Sequence, residues 1–236
     1  MNTPKGTLYL IPTVISPNTE SRALPLDLKN LCEKLDYYLV EQIRTARRCL
    51  SALKIQKSIE EIQFKELSKK TDPQMLEGLM KPLFEGKDIG IMSEAGCPGI
   101  ADPGALAVEF AHKHGVRVIP YVGPSSIFLA LMASGFSGQS FAFNGYLPID
   151  KKEKQQQIKK LEDLLYQTGQ TQIFMETPYR NNAMFADILK TARPQTSLCI
   201  AKDINGDNEF IRTKTIVEWK KESLDLHKIP CIFLIG

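Results

Sequence analysis

The stretch Asp88–Gly104 reads D-I-G-I-M-S-E-A-G-C-P-G-I-A-D-P-G, and it decides the fold. Residues 88–92 form a short apolar run bounded by turn signals, the pattern of a strand buried on both faces. Residues 93–104 then hold three glycines and two prolines in twelve positions, so the backbone of this loop can approach a ligand closely. Asp102 followed by Pro103 signals a helix running to His114, with Asp102 as a candidate cap. Strand, Gly/Pro-rich loop and helix make the repeating unit of an open parallel sheet, where ligands bind outside the carboxyl ends of the strands. Glu94, directly after the strand, is placed to meet a ribose hydroxyl or an ammonium group.

Outward from this unit the same alternation continues. Residues 7–11, 37–40, 61–64 and 116–122 read as strands, and 28–35, 41–53, 73–84 and 125–134 as helices. That rhythm predicts βαβ units and a parallel sheet. The loop at 135–139 (G-F-S-G-Q) interrupts it and sets a boundary between residues 1–136 and 137–236. Beyond it, 141–146, 171–175, 197–202 and 231–235 read as strands, 151–167 and 180–192 as helices, and 210–219 has no clear type. The expected fold is α/β, with two α/β domains.

Composition narrows the function. The chain has 236 residues, 43% hydrophobic and 24% charged, which excludes disordered and collagen-like classes. Thirty Lys+Arg against 27 Asp+Glu is too even to argue nucleic-acid binding from net charge. Five scattered cysteines and three histidines give no zinc spacing and no disulfide framework, so reduced thiols and no metal are expected. The longest apolar run, residues 127–133, is far short of the roughly 20 residues that span a bilayer. With no signal-peptide core at the N-terminus, a cytoplasmic protein without membrane contact is expected.

Three further stretches are candidates for chemistry. Val122-Gly123-Pro124-Ser125-Ser126 is strand, turn and helix start: Ser125 either caps the helix or shares the helix amides with a ligand. Neither this loop nor residues 93–104 matches the usual nucleotide fingerprints. Met175-Glu176-Thr177-Pro178-Tyr179-Arg180 ends a strand, and its acid and arginine either pair across a turn or line an interdomain cleft. Arg44, Arg47 and Arg48 lie at i, i+3 and i+4 with Lys54 and Lys57 beyond, either a solvated helix face or a binder of phosphates. Lys151, Lys152, Lys154, Lys159 and Lys160 read as solvated surface. His112 and His114 read as helix-end dipole partners and His227 is isolated, which disfavours a hydrolase.

SEAGCPGIADPG, followed by RVIPYVGPSSIFLALMASGF, FNGYLP and METPYR, resembles the tetrapyrrole methylase superfamily of S-adenosylmethionine-dependent methyltransferases. The order and wording are most similar to its ribosomal small subunit methyltransferase I branch, which methylates a cytidine ribose 2′-hydroxyl in 16S rRNA. That branch carries S-D-A-G-T-P, D-P-G, P-G-P-[CS], G-F-L-P and Y-E-S-x-H-R, and the likeness runs from GTLYLIPT to IPCIFLIG. The resemblance implies two α/β domains with S-adenosyl-L-methionine between them, 16S rRNA or the 30S subunit as partner, and a homodimer. By position it implies cofactor contacts from Ile15, from Glu94, Ala95, Gly96 and Cys97, from Ser125, Ser126 and Ile127, and from Met175, Lys202 and Cys231.

The chain departs from the branch at several loops. P-I-G-N becomes Pro12-Thr13-Val14-Ile15-Ser16, and E-D-T-R becomes Glu41-Gln42-Ile43-Arg44. A histidine-containing loop becomes Phe64-Lys65-Glu66-Leu67, S-D-A-G takes Glu94, and R-E-L-T-K becomes Lys202-Asp203-Ile204-Asn205-Gly206. A ribose hydroxyl needs a base or a cation to react. Glu41 is the expected proton acceptor and Arg44 the group that positions a phosphate or the hydroxyl, with Glu176 and Arg180 serving from the opposite wall. The alternatives are methylation of a tetrapyrrole or other small molecule, and a ribosome-associated, cofactor-binding factor without catalysis.

Overall fold

The structure is a computed structural model and describes residues 4–68 and 70–236. It divides into two compact units, the first ending at Ser125 and the second running Ser126–Gly236. The division falls one helix earlier than the 136/137 boundary expected from the glycine-rich loop. The helix Ser126–Ser134 belongs with the second unit: Thr213 Oγ1 donates to the Ser134 carbonyl at 2.7 Å, and the Phe136 ring lies against Gly236.

In the first unit the strands are β1 (Thr7–Ile11), β2 (Tyr37–Val40), β3 (Gln63–Glu66), β4 (Ile89–Met92) and β5 (Arg117–Pro120). The helices between them are α1 (Glu20–Ala23), α2 (Leu28–Lys34), α3 (Ile43–Ala52), α4 (Pro73–Phe84) and α5 (Gly104–Lys113). All five strands are parallel, in the order β3-β2-β4-β1-β5. Alternation along β2 sends Tyr38 and Val40 to one face, against Leu28, Leu31, Ala46 and Leu50, and Tyr37 and Leu39 to the other, against Leu76, Met80 and Leu83. A side chain at Gly90, in the middle of β4, would come within 2.7 Å of Ile11 Cδ1 and 2.8 Å of the Tyr38 ring, so only glycine lets those two residues pack across the strand. α5 begins at Gly104, directly after Pro103, whose backbone is already helical at φ -70° and ψ -8°.

The second unit holds α6 (Ser126–Ser134), β6 (Phe141–Tyr146), α7 (Lys151–Thr168), β7 (Thr171–Met175), α8 (Asn181–Thr191), β8 (Ser197–Lys202), β9 (Phe210–Thr215), α9 (Ile216–Trp219) and β10 (Cys231–Ile235). Its sheet order is β6-β7-β10-β8-β9. Only β6 and β7 are parallel; the other pairs run antiparallel, so the parallel pattern holds for the first sheet alone. The hairpin of β8 and β9 accounts for part of this: the loop 203–209, with Asp203 and Asn205 in the left-handed region, returns the chain from β8 into β9. Residues 210–219 resolve into strand and then helix, because Thr215 and Glu218 form a capping box that starts α9. The core joins Phe174 and Phe233, stacked at 6.0 Å, to Ile158, Met184, Ile188 and Trp219, whose Nε1 donates to the Leu198 carbonyl at 2.8 Å.

One lysine departs from the solvated face read for 151–160. Lys154 shares the buried face of α7 with Ile158 and Leu161, at helical spacing, and its Nζ meets Asp187 Oδ2 of α8 at 3.1 Å. Among the described residues no helix is long and apolar enough to cross a membrane, and no group of three or more His, Cys, Asp or Glu is placed to hold a metal ion. All five cysteines are free thiols.

Candidate functional site

Every loop leaving the carboxyl edge of the first sheet carries residues singled out in the sequence, and three of these loops converge. After β1, buried Thr13 pairs with Gly96 of the post-β4 loop through two backbone hydrogen bonds, Thr13 N to Gly96 O at 2.9 Å and Gly96 N to Thr13 O at 3.2 Å. Gly96 sits at φ +76°, and a side chain there would stand 3.3 Å from the Pro124 carbonyl and 3.5 Å from Ile15 Cγ2. The loops after β1, β4 and β5 therefore meet at a glycine that must remain a glycine. Cys97 Sγ lies 3.4 Å from the same Pro124 carbonyl, and Gly123 packs directly on the Pro12 ring. Ile15, Gly96 and Cys97 are thus assembled in one place, while Glu94 and Ala95 are exposed just before it.

The post-β4 loop is held in a costly shape. Gly96, Gly99 and Ala101 all have positive φ within six residues, and Ala101 lacks the glycine freedom that makes such a conformation cheap. Strain of this kind, about 1–3 kcal/mol per residue, is concentrated at sites where a fixed backbone shape is used. Beside the loop lies a hollow of about 550 Å³, lined by Cys97, Pro98, Gly99, Ile100, Leu10 and Tyr121, with one face of α5 closing it.

Glu41 stands at the end of β2. Its Oε2 accepts the backbone N–H of Glu94 at 3.3 Å, which ties the second strand's exit to the post-β4 loop and leaves Oε1 open. Two residues on, α3 starts under a Gln42 cap whose side chain accepts the Arg44 N–H at 3.0 Å. Arg44 is exposed one turn from Glu41.

In the second unit the antiparallel register collects the remaining candidates. Cys231 is paired with Lys202 and Ile232 with Met175, so Met175, Lys202 and Cys231 lie side by side at one end of the sheet. Burial pushes the Cys231 thiol up to about 12, so it is a packing group and not a nucleophile. Next to Met175, Arg180 Nη2 donates to Glu176 Oε1 at 2.6 Å, which realises the ion-pair reading of this motif. That hydrogen bond holds the guanidinium pKa above its ordinary value. Glu176 Oε2, Arg180 Nε and Asn181 Oδ1 are all buried with no hydrogen-bond partner. Ser125 and Ser126 are half-buried around the start of α6, and Ile127 is buried.

Sequence reasoning missed Thr13 and Asn181. Thr13 takes part through a backbone bridge that side-chain chemistry does not announce. Asn181, whose Nδ2 donates to the Ile229 carbonyl at 2.6 Å, follows the motif by one residue and is tied to a chain segment 48 positions away.

The chain is similar to proteins named ribosomal RNA small subunit methyltransferase I. One from Halalkalibacterium halodurans is 33% identical over 226 residues, covering 93% of this chain and 72% of that protein. Another from Pasteurella multocida is 30% identical over 240 residues, covering all of this chain and 80% of its own length. A third, from Vibrio cholerae, is 27% identical over 231 residues. No protein-family model matches the chain. Among solved structures, that of the methyltransferase CobJ superposes with a TM-score of 0.63 at 14% identity, covering 98% of this chain and 94% of its own, a likeness of fold.

Proposed function

The chain belongs to the ribosomal RNA small subunit methyltransferase I family and is a methyltransferase, and on that premise we propose that it moves the methyl group of S-adenosyl-L-methionine to a cytidine ribose 2′-hydroxyl of 16S rRNA. The observation that carries the reading is the junction of the loops after β1, β4 and β5 at Gly96. It is a side-chain-free cradle at the carboxyl edge of a parallel sheet, beside a hollow of a size that suits a small cofactor. Ile15, Glu94, Ala95, Gly96 and Cys97 would hold the cofactor from the first unit. Ser125, Ser126, Ile127, Met175, Lys202 and Cys231 are its further contacts in this reading.

When bound, the cofactor supplies a methyl group on a sulfonium, open to in-line displacement. The chain's own residues then have two tasks: to align the ribose oxygen and to take its proton. Glu41 Oε1 accepts that proton, because Oε2 is engaged by the Glu94 N–H and holds the carboxylate in place. Arg44 stabilises the developing negative charge or the adjacent phosphate. Glu176 is a positioning residue that fixes Arg180, whose exposed edge is available to an anionic group. We further propose a cytoplasmic homodimer, with the exposed apolar side chains Phe128 and Met132 of α6 covered by the second copy.

The test is methyl transfer from labelled S-adenosylmethionine to 30S subunits from cells grown without this protein. Label is expected on a 16S rRNA ribose, and Glu41→Gln is expected to lower kcat by roughly 10²-fold or more while cofactor affinity is kept. Transfer only to small molecules, or absence of cofactor binding by calorimetry, would overturn the proposal.

A further inference from the structure

α3 has two unlike sides. Ala46, Cys49 and Leu50 are buried against the sheet, and Arg44, Arg47, Arg48 and Ser51, at positions i, i+3, i+4 and i+7, face outward. The outward side borders a hollow of about 560 Å³ lined by Gln42, Ile43, Arg44, Arg47, Arg48 and Ser51, with no carboxylate among them. Elsewhere the molecule pairs many of its cations: Lys57 with Asp36, Lys113 with Glu109, Lys154 with Asp187, Arg193 with Glu162 and Asp163. Among the described residues these three guanidiniums make no ion pair.

Like charges at this spacing weaken a helix by a few tenths of a kcal/mol per pair, and α3 has no acidic residue in its first turn to offset them. A face retained at that cost fits an anionic partner, and guanidinium forks fit phosphate oxygens in particular. The Arg47 guanidinium also lies 5.5 Å over the Phe64 ring of β3, which stacks in turn on Tyr38 at 5.7 Å. This fixes the arginine as a flat ledge, the kind of surface on which an unpaired base stacks. A lipid surface fits less well, because membrane-lying helices present a broad apolar face beside the basic one, and the apolar residues of α3 are turned into the core.

The position completes the argument. α3 leaves the end of β2 two residues after Glu41, so the arginine row starts at the proposed reaction edge and runs away from it. We propose that Arg47 and Arg48, with Ser51 and the Phe64 ledge, dock the phosphodiester backbone of single-stranded rRNA flanking the target nucleotide, leaving Arg44 to the reacting ribose. This deepens the rRNA reading given above and rests on it.

The experiment compares wild type with Arg47→Gln/Arg48→Gln and Arg47→Lys/Arg48→Lys. Binding to unmethylated 30S subunits is measured over a salt series, together with steady-state methyl transfer and cofactor calorimetry. Losing two phosphate contacts should make the slope of log K against log salt shallower by about 1.4–1.8. KM for the subunit should rise 10-fold or more at low salt, with kcat and cofactor affinity within twofold of wild type, and the lysine pair should keep most of the slope. An unchanged slope and KM in an active enzyme would overturn the docking face while leaving the methylation reading intact. An arginine-dependent slope in an enzyme that places no label on 16S rRNA would do the reverse. Loss of binding to phosphatidylglycerol vesicles, with subunit binding untouched, would reassign the face to a membrane and overturn the proposal.

Discussion

Arg180 reaches Glu176 across 2.6 Å, and the carboxylate it holds is completely buried while 37% of its own side chain is exposed. The pair is asymmetric: removing the arginine strands a charge inside the second unit, whereas removing the carboxylate frees a cation that can turn to water. Arg180→Ala is therefore expected to destabilise more than Glu176→Gln, by about 1–3 kcal/mol after allowing for solvent screening at the exposed guanidinium. A double-mutant cycle in urea checks this. The double variant should recover a large part of the Arg180→Ala loss, and strict additivity would mean that the contact contributes nothing.

A second pair is more deeply enclosed. Lys154 and Asp187 have side chains only 6% and 10% exposed, between α7 and α8. Lys154→Met leaves an unpaired carboxylate in a nearly dry site, expected to cost about 3–5 kcal/mol. Lys154→Met/Asp187→Leu replaces the pair with apolar volume and is expected to come within about 1 kcal/mol of wild type, because desolvation and attraction nearly cancel in such pairs. Thermal unfolding of the two variants decides it, and a double variant as unstable as the single one would show that the site needs its charges.

These pairs also mark where a linear reading runs out. Alternating apolar runs located β1, β2, β4, β7, β8 and β10 almost to the residue, since a strand buried on both faces leaves its composition in the sequence. Periodicity does not say which way a strand runs, so the antiparallel return of β8 into β9 and the pairing of β10 with β7 and β8 stayed hidden. Lys154 shows the same limit at the level of one side chain. A lysine among lysines reads as surface, and only the packing of α8 reveals the aspartate opposite it. The motif loops were legible for the opposite reason: residues 93–104 carry so much glycine and proline that the backbone itself is the signal. What joins those loops, the Thr13–Gly96 bridge, is made of main-chain atoms and leaves no trace in residue type.

That bridge yields a direct prediction. Gly96→Ala forces a Cβ into φ +76° and to 3.3 Å from the Pro124 carbonyl. Left-handed strain of roughly 1–2 kcal/mol, added to the contact, should lower the unfolding midpoint by several degrees. It should also weaken cofactor binding with little change in secondary structure. Gly78→Ala is the control, because Gly78 lies on the exposed side of α4 with nothing within 4 Å of its would-be Cβ, and the substitution should stabilise by about 0.5–1 kcal/mol. Equal behaviour of the two variants would remove the special status of Gly96.

The cysteines report on the same cradle without any substitution. Burial raises the pKa of all five thiols, to about 11 for Cys32 and about 12 for Cys49 and Cys231, with Cys97 and Cys199 also shifted upward. A raised thiol pKa means that the reactive thiolate is scarce below that value and grows only as pH climbs toward it. Cys97 differs from the others in being half-buried at a loop junction, where the rest are buried. Iodoacetamide between pH 7 and 9 is therefore expected to modify Cys97 first, with a rate that rises across the range, while the other four react only in guanidinium. If the loops after β1, β4 and β5 hold S-adenosylmethionine, saturating cofactor should slow the Cys97 reaction several-fold and leave the others as they were. Mass spectrometry of the alkylated peptides reads both effects at once. Early modification of Cys231 would contradict the packing of the second sheet, and a Cys97 rate indifferent to bound cofactor would place the cofactor away from the Gly96 cradle.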